Sequence, residues 1–212
     1  ICSGLEDPHM VQGKPSFILA ARDADLWIRI GLDLEIGWEP VVIESSRNSR
    51  ILPGRPGHLD AGLLIEPLDV PAGPVTRDQG DVHPSGNPHY WTDPWNGRLV
   101  ARGIAERLVQ LDPDGADHYR ERRAEFERRL DTAMFGTALL GRMTADEVWA
   151  AVRANRLDER AAQAGTSVGG WWAAMRPLRG ARIITYHRSW TYFAHRFGVH
   201  IVGEIEPKPG IP

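Results

Sequence analysis

Short apolar runs alternate along the chain with longer stretches in which apolar residues return every three or four positions. That pattern interleaves strands with helices and predicts an α/β fold. Ser16 stands before Phe17-Ile18-Leu19-Ala20-Ala21 as the N-cap of a short helix. Ala24 to Gly31 reads as a buried strand closed by glycine, and Trp38 to Ser46 as a second helix with Pro40 in its first turn. A short strand is expected around Gly62-Leu63-Leu64-Ile65. Residues 71–89, rich in Gly, Pro, Asp and Asn, read as a long exposed loop. From Trp95 a helix follows, with Leu99, Ile104, Leu108 and Leu111 on its apolar stripe, until Asp112-Pro113-Asp114 interrupts it. A charge-laced helix from about Gly115 to Asp131 then suits a solvent-exposed connector. Two further helices fit residues 132–170, one of them capped by Thr144, and Gly169-Gly170 opens a third that ends near Gly180. The end of the chain reads strand, helix, strand. Ala181 to Tyr186 and Val199 to Ile205 flank a helix from Ser189 to about Arg196, stopped by Gly198, which is the parallel crossover unit.

The 212 residues leave room for one large or two small domains. Hydrophobic residues at 42% and charged residues at 25% are those of a globular chain. A net charge of −3 supplies no basic footprint for nucleic acid and no polybasic membrane patch. The single Cys2 excludes an internal disulfide framework and a cysteine-based zinc finger. No apolar run approaches the roughly 18 residues of a membrane span. The chain opens at Ile1 without a targeting segment and stops at Pro212, where a further helix is expected, so it reads as a piece of a longer polypeptide. Its unusual resources are eight histidines and eight tryptophans, the latter expected as core and interface fillers.

Three histidines sit at element ends within turn chemistry. His9 follows Glu6-Asp7-Pro8, His89 follows Asn87-Pro88 where the long loop enters a helix, and His187 directly follows the strand ending at Tyr186. Ligands of open α/β sheets bind outside the carboxyl ends of strands, which is the position of His187. The prolines before His9 and His89 restrict the backbone and lower the entropy lost on fixing a ligand. Three neutral imidazoles and one further ligand complete a zinc tetrahedron. Equally, each histidine can be a turn residue that binds backbone or faces water. The remaining histidines carry weaker signals: His58 and His83 lie in turns, His83 being able to load metal from the loop, while His118, His195 and His200 fall on helices or a strand. Glu6 or Asp7 could serve as a catalytic base or could orient His9. The chain has no His-Glu-x-x-His, no phosphate-binding glycine loop and no Gly-x-Ser-x-Gly elbow.

Five phrases stand in a familiar order: Asp7-Pro8-His9; Gly31-Leu32-Asp33-Leu34-Glu35-Ile36-Gly37-Trp38; Gly80-Asp81-Val82-His83-Pro84 with Asn87-Pro88-His89-Tyr90-Trp91-Thr92-Asp93-Pro94; Tyr186-His187-Arg188-Ser189-Trp190 with Tyr192-Phe193; and Glu206 to Pro212. Together they resemble the zinc/manganese-type (cluster A-I) substrate-binding proteins of bacterial metal ABC transporters. The resemblance implies two Rossmann-like lobes with parallel sheets, joined by a long linker helix, with metal in the cleft between them. Mapped onto this chain, residues 1–112 form the metal-binding N-terminal lobe, 113–133 the linker and 134–212 a partial C-terminal lobe with a helical insertion at about 132–168. The ligand positions fall on His9, His89 and His187. Manganese-type members usually carry a carboxylate at the third position; the nitrogen of His187 favours Zn²⁺ over Mn²⁺. The resemblance further implies a periplasmic or cell-surface monomer that hands its metal to an ABC transporter permease and is not an enzyme. Two departures are notable: the family's first strand lies before Ile1 and its fourth ligand beyond Pro212. The rival reading from the residues is a His₃ metallohydrolase with Glu6 or Asp7 as base. Within the family a manganese carrier or a surface adhesin is the alternative.

Overall fold

The computed structural model describes residues 11, 13–75 and 82–206. The fold is α/β, with two separate two-stranded parallel sheets among the described residues. In the first, β1 (Trp27–Arg29) pairs with β2 (His58–Asp60), Trp27 opposite His58 and Arg29 opposite Asp60. α1 (Pro15–Asp23) precedes this pair and α2 (Glu39–Ser46) lies in its crossover. The two helices pack together over Ala21, Trp27, Trp38, Val42, Ile43 and Ile51.

Local hydrogen bonding moves several expected boundaries. α1 begins at Pro15 with Lys14 as N-cap, so Ser16 sits inside the first turn and does not cap it. β1 is shorter than the expected Ala24–Gly31 run. The Glu35 carboxylate takes the N–H groups of Ile30 (2.7 Å) and Gly31 (3.0 Å), and Leu32 and Asp33 turn into left-handed backbone. The second strand lies at His58–Asp60, ahead of the predicted Gly62–Ile65. There the Asp60 side chain accepts the Gly62 N–H at 3.0 Å and winds Ala61–Leu64 into a 3-10 turn.

α3 (Pro94–Leu111) starts on Asp93, whose side chain accepts the Trp95 N–H at 2.9 Å. α4 (Ala116–Phe135) runs back along it. The charged face of α4 is exposed as expected of a connector, but its last turn is not: Asp131, Met134 and Phe135 are buried. They enter the largest apolar core, completed by α5 (Thr137–Leu140), α6 (Ala145–Arg153), α7 (Leu157–Gln163) and α8 (Gly170–Met175) together with Phe197 and Val199. Residues 132–168, expected as an insertion, supply most of the side chains of that core.

The second sheet pairs β3 (Arg182–Thr185) with β4 (His200–Glu204), joined through α9 (Thr191–Phe197). Gly198, in the left-handed conformation at φ 71°, ends α9 as the sequence predicts. Two expectations need correction. The loop of residues 71–89 is exposed at 72–74 but buried from Gly86 to His89, because its end is hydrogen-bonded into the body of the fold. Trp27, Trp38, Trp149 and Trp172 are core residues, while Trp91, Trp171 and Trp190 stay nearly half exposed.

Candidate metal centre

His89 is placed by a sealed turn. Pro88 and Tyr90 on either side of it are buried, and His89 begins the 3-10 turn Tyr90–Thr92 that leads into α3. The Tyr90 hydroxyl donates to the Ile30 carbonyl at 2.8 Å, anchoring the turn to the first sheet. The Tyr192 hydroxyl of α9 donates to the Asn87 carbonyl (2.7 Å) and accepts the Leu68 N–H (2.9 Å). Burial pushes both phenols above their ordinary pKa, so both remain proton donors throughout the physiological range. Arg196 closes the junction with two 2.8 Å bonds to Asp93, a bidentate ion pair buried on the carboxylate side.

His187 is placed by strand register. It follows β3 directly, and Thr185 lies opposite Glu204 in the parallel pair. Two residues further on, the same register sets His187 beside Glu206, whose N–H donates to the Tyr186 carbonyl at 2.9 Å. The Glu206 carboxylate Oε2 contacts Nδ1 of His187.

The two imidazoles meet across 98 residues of sequence. Their Nε2 atoms are 3.1 Å apart, with ring planes at 79° to one another. Nδ1 of His89 lies 2.9 Å from Asn87 Oδ1. An amide oxygen and a carboxylate only accept, so each Nδ1 carries the proton and donates it. In the neutral rings both Nε2 atoms therefore present lone pairs, and the lone pairs face each other. A proton shared between the two nitrogens, or a metal cation bound by both, relieves their repulsion. In a tetrahedral zinc site with Zn–N of about 2.0–2.1 Å, two nitrogens stand about 3.4 Å apart, close to the separation seen here. The Nδ1 partners are those that ligating histidines use to fix tautomer and ring orientation.

His9, with Glu6 and Asp7, lies outside the described residues. Among the described residues no group of three or more His, Cys, Asp or Glu side chains is arranged to hold a metal ion. His58, expected in a turn, is instead the first residue of β2, buried, with Nδ1 2.9 Å from the Ile51 carbonyl. His118, His195 and His200 are exposed. His83 lines a small cavity with Asp69, Asn87, His89 and Arg188, so the loop histidine shares a cavity with His89. Sequence reasoning missed the parts played by Glu206 and Asn87. The parallel crossover carried the signal for Glu206, since strand register alone sets it beside His187.

The family model for the periplasmic component A of zinc-uptake complexes, ZnuA, matches residues 1–134. The high-affinity zinc uptake system protein ZnuA of Paracoccus denitrificans is 26% identical over 225 aligned residues, covering 91% of this chain and 55% of that protein. The manganese ABC transporter substrate-binding lipoprotein PsaA of Streptococcus anginosus is 25% identical over 129 residues, 59% of this chain and 38% of its own length. A crystal structure of ZnuA shares the fold at a TM-score of 0.61 and 24% identity, over 99% of this chain and 63% of that one. The Zn(II)-bound ZnuA-like domain of Streptococcus pneumoniae AdcA shares it at 0.58 and 14% identity, over 94% and 55%. The chain thus spans between 26 and 55% of the length of these curated relatives and the Brucella abortus zinc uptake protein ZnuA. With more than half of its residues matched by the family model and the same fold in solved relatives, the chain belongs to the ZnuA family of periplasmic zinc-uptake components.

Proposed function

We propose that this protein captures Zn²⁺ as cargo outside the cytoplasm and passes it to an ABC transporter permease, without catalysing a reaction of its own. His89 and His187 are two of the ligands and His9 is the third. One observation carries the reading: the Nε2 atoms of His89 and His187 meet at 3.1 Å, while the Nδ1 atoms face acceptors, Asn87 Oδ1 and the Glu206 carboxylate. A divalent cation with an affinity for imidazole resolves that arrangement. Zinc is the better match to nitrogen donors, and manganese sits at the weak end of the divalent series. The residue ranges 1–112, 113–133 and 134–212 then act as first lobe, linker and second-lobe segment, the first lobe offering His9 and His89 and the second His187 across the cleft.

Isothermal titration at pH 7.5 with Zn²⁺ and with Mn²⁺ tests this. The wild type should bind one Zn²⁺ more tightly than Mn²⁺, and His89→Ala and His187→Ala should each weaken zinc by about a hundredfold or more, beyond what loss of an outer partner costs. Manganese binding equal to or tighter than zinc would defeat the cargo assignment. An unaltered His187→Ala variant would remove His187 from the ligand set. His9→Ala, measured in the same way, decides the third ligand.

A further inference from the structure

Asn87 is buried at 5% exposure and uses both ends of its side chain. The backbone N–H of His89 can only donate and the Arg188 carbonyl can only accept, which assigns the amide without ambiguity. Oδ1 accepts from the His89 N–H at 3.0 Å and from His89 Nδ1 at 2.9 Å. Nδ2 donates to the Arg188 carbonyl at 2.8 Å and approaches Thr191 Oγ1 and Asp69 Oδ2 at 3.2 Å each. Arg188 is the residue after His187, and Thr191 opens α9. A single planar group therefore reaches from the ring of one imidazole to the backbone beside the other.

We infer that Asn87 is a positioning residue with two coupled tasks: it holds the proton of His89 on Nδ1, and it sets the spacing between the turn that carries His89 and the turn that carries His187. The first task needs an acceptor and the second a donor on the same rigid group. Aspartate supplies the first and spoils the second, because its other oxygen would face the Arg188 carbonyl and the Asp69 carboxylate. Leucine supplies neither. The surroundings reinforce the coupling: Thr191 Oγ1 donates to Asp69 Oδ2 at 2.9 Å, and the Arg188 guanidinium lies 3.7 Å from Asp69 and 3.4 Å from Glu204. The pair of nitrogens is therefore already spaced before any cation arrives, which lowers the ordering cost of binding. The inference rests on the zinc reading for its purpose but not for its test.

The test reads the tautomer directly. Metal-free protein labelled with ¹⁵N-histidine is examined at pH 8.5 by long-range ¹H–¹⁵N correlation, His89 being assigned by its loss in His89→Ala. Wild type and Asn87→Asp should show His89 protonated on Nδ1, and Asn87→Leu should move the proton to Nε2. Zinc titration should then find Asn87→Leu weakened about 10–100-fold, the usual cost of losing a partner behind a ligand. Asn87→Asp and Thr191→Val should keep the tautomer and still lose affinity several-fold, through the spacing alone. A wild-type His89 protonated on Nε2, or Asn87→Leu with an unchanged tautomer, overturns the first task. Asn87→Asp and Thr191→Val both binding zinc as wild type overturn the second, and both variants stand in if Asn87→Leu does not fold. If wild type binds no zinc the transport reading falls, while the tautomer of the metal-free protein still decides the role of Asn87.

Discussion

Arg98 and His89 are both nearly sealed from solvent, 2% and 3% exposed, yet the polar groups around them close differently. The Arg98 guanidinium reaches Asp131, Asp146 at 2.8 Å and Glu127 at 3.4 Å, tying α3 to α4 and α6. The indole N–H of Trp149 takes the other oxygen of Asp131 at 2.7 Å, and Arg102 takes Glu127 at 2.8 Å. Every buried carboxylate in that assembly meets a donor, although Nε of Arg98 is itself buried without a hydrogen-bond partner. Around His89 the chain of hydrogen bonds runs from Arg188 through Asn87 to one ring and from Glu206 to the other, and brings the two Nε2 atoms to 3.1 Å from each other. A polar network whose charges balance within itself holds helices together. One that gathers imidazole nitrogens suits a cation from outside.

The sharpest way to break the comparison is to remove the cation from the balanced network. Arg98→Met leaves Asp131 buried without its charge partner and should cost about 3–5 kcal/mol in urea unfolding. Zinc affinity of the folded variant should stay within about twofold of wild type. A loss of zinc binding in the folded variant would show that the two assemblies are one. Zinc itself supplies the next largest effect. At a hundred times the wild-type dissociation constant it should stabilise the wild type by about 2.7 kcal/mol, and Arg98→Met by nearly the same amount, but His187→Ala by only about 0.4 kcal/mol or less.

Glu206→Gln sharpens the comparison from the open side. The amide oxygen can still receive the Nδ1 proton of His187, so the tautomer is kept, but the negative charge behind the ring is lost. Zinc affinity should fall about 10–100-fold, measured by titration. Because the Glu206 side chain is a third exposed, its contact with His187 should contribute little to folding, and urea unfolding of the metal-free variant should differ from wild type by about 0.5 kcal/mol or less. A variant that loses stability and keeps its zinc would reverse the assignment of this network.

The class of fold and the placing of His89 and His187 at element ends are legible in the sequence, because both kinds of signal are local. The run Ala181–Tyr186, the stop at Gly198 and the following strand specify a parallel crossover, and that crossover specifies where His187 must stand. His89 is legible from Pro88 and from the helix start at Asp93. The shift of β2 to His58–Asp60 is less legible, since it depends on whether Asp60 bends its side chain back to Gly62. Glu206 becomes visible only once strand register is fixed, and Asn87 only once the two turns are in contact. From the sequence Asn87 is a turn former like any other. The buried end of α4 escapes for a similar reason: its charge pattern describes the first four turns, and Met134-Phe135 belong to the core that follows.

The smallest effect tests the outer edge of the balanced network. Asp146, which meets Arg98 from an exposed position, stands in the first turn of α6, and that turn is held by a reciprocal cap. Thr144 Oγ1 accepts the Glu147 N–H at 3.3 Å, and the Glu147 carboxylate accepts the Thr144 N–H at 2.8 Å. The Thr144 N–H, and after it the Thr144 hydroxyl that donates to Glu147 Oε2 at 2.8 Å, hold the Glu147 carboxyl below its ordinary value of 4.5. A carboxyl whose pKa is lowered on folding stabilises the folded state above the unfolded value of 4.5, and this contribution is lost as the pH falls through the folded pKa. Thr144→Ala should therefore cost about 1 kcal/mol at pH 7 and less below pH 4.5, where Glu147 in the wild type is becoming protonated. The comparison of urea unfolding at pH 7 and pH 3.5 reads the difference. A cost several times larger at pH 7 would mean that the first turn of α6 is part of the Arg98 assembly rather than its rim, whereas a cost independent of pH would remove Glu147 from the cap.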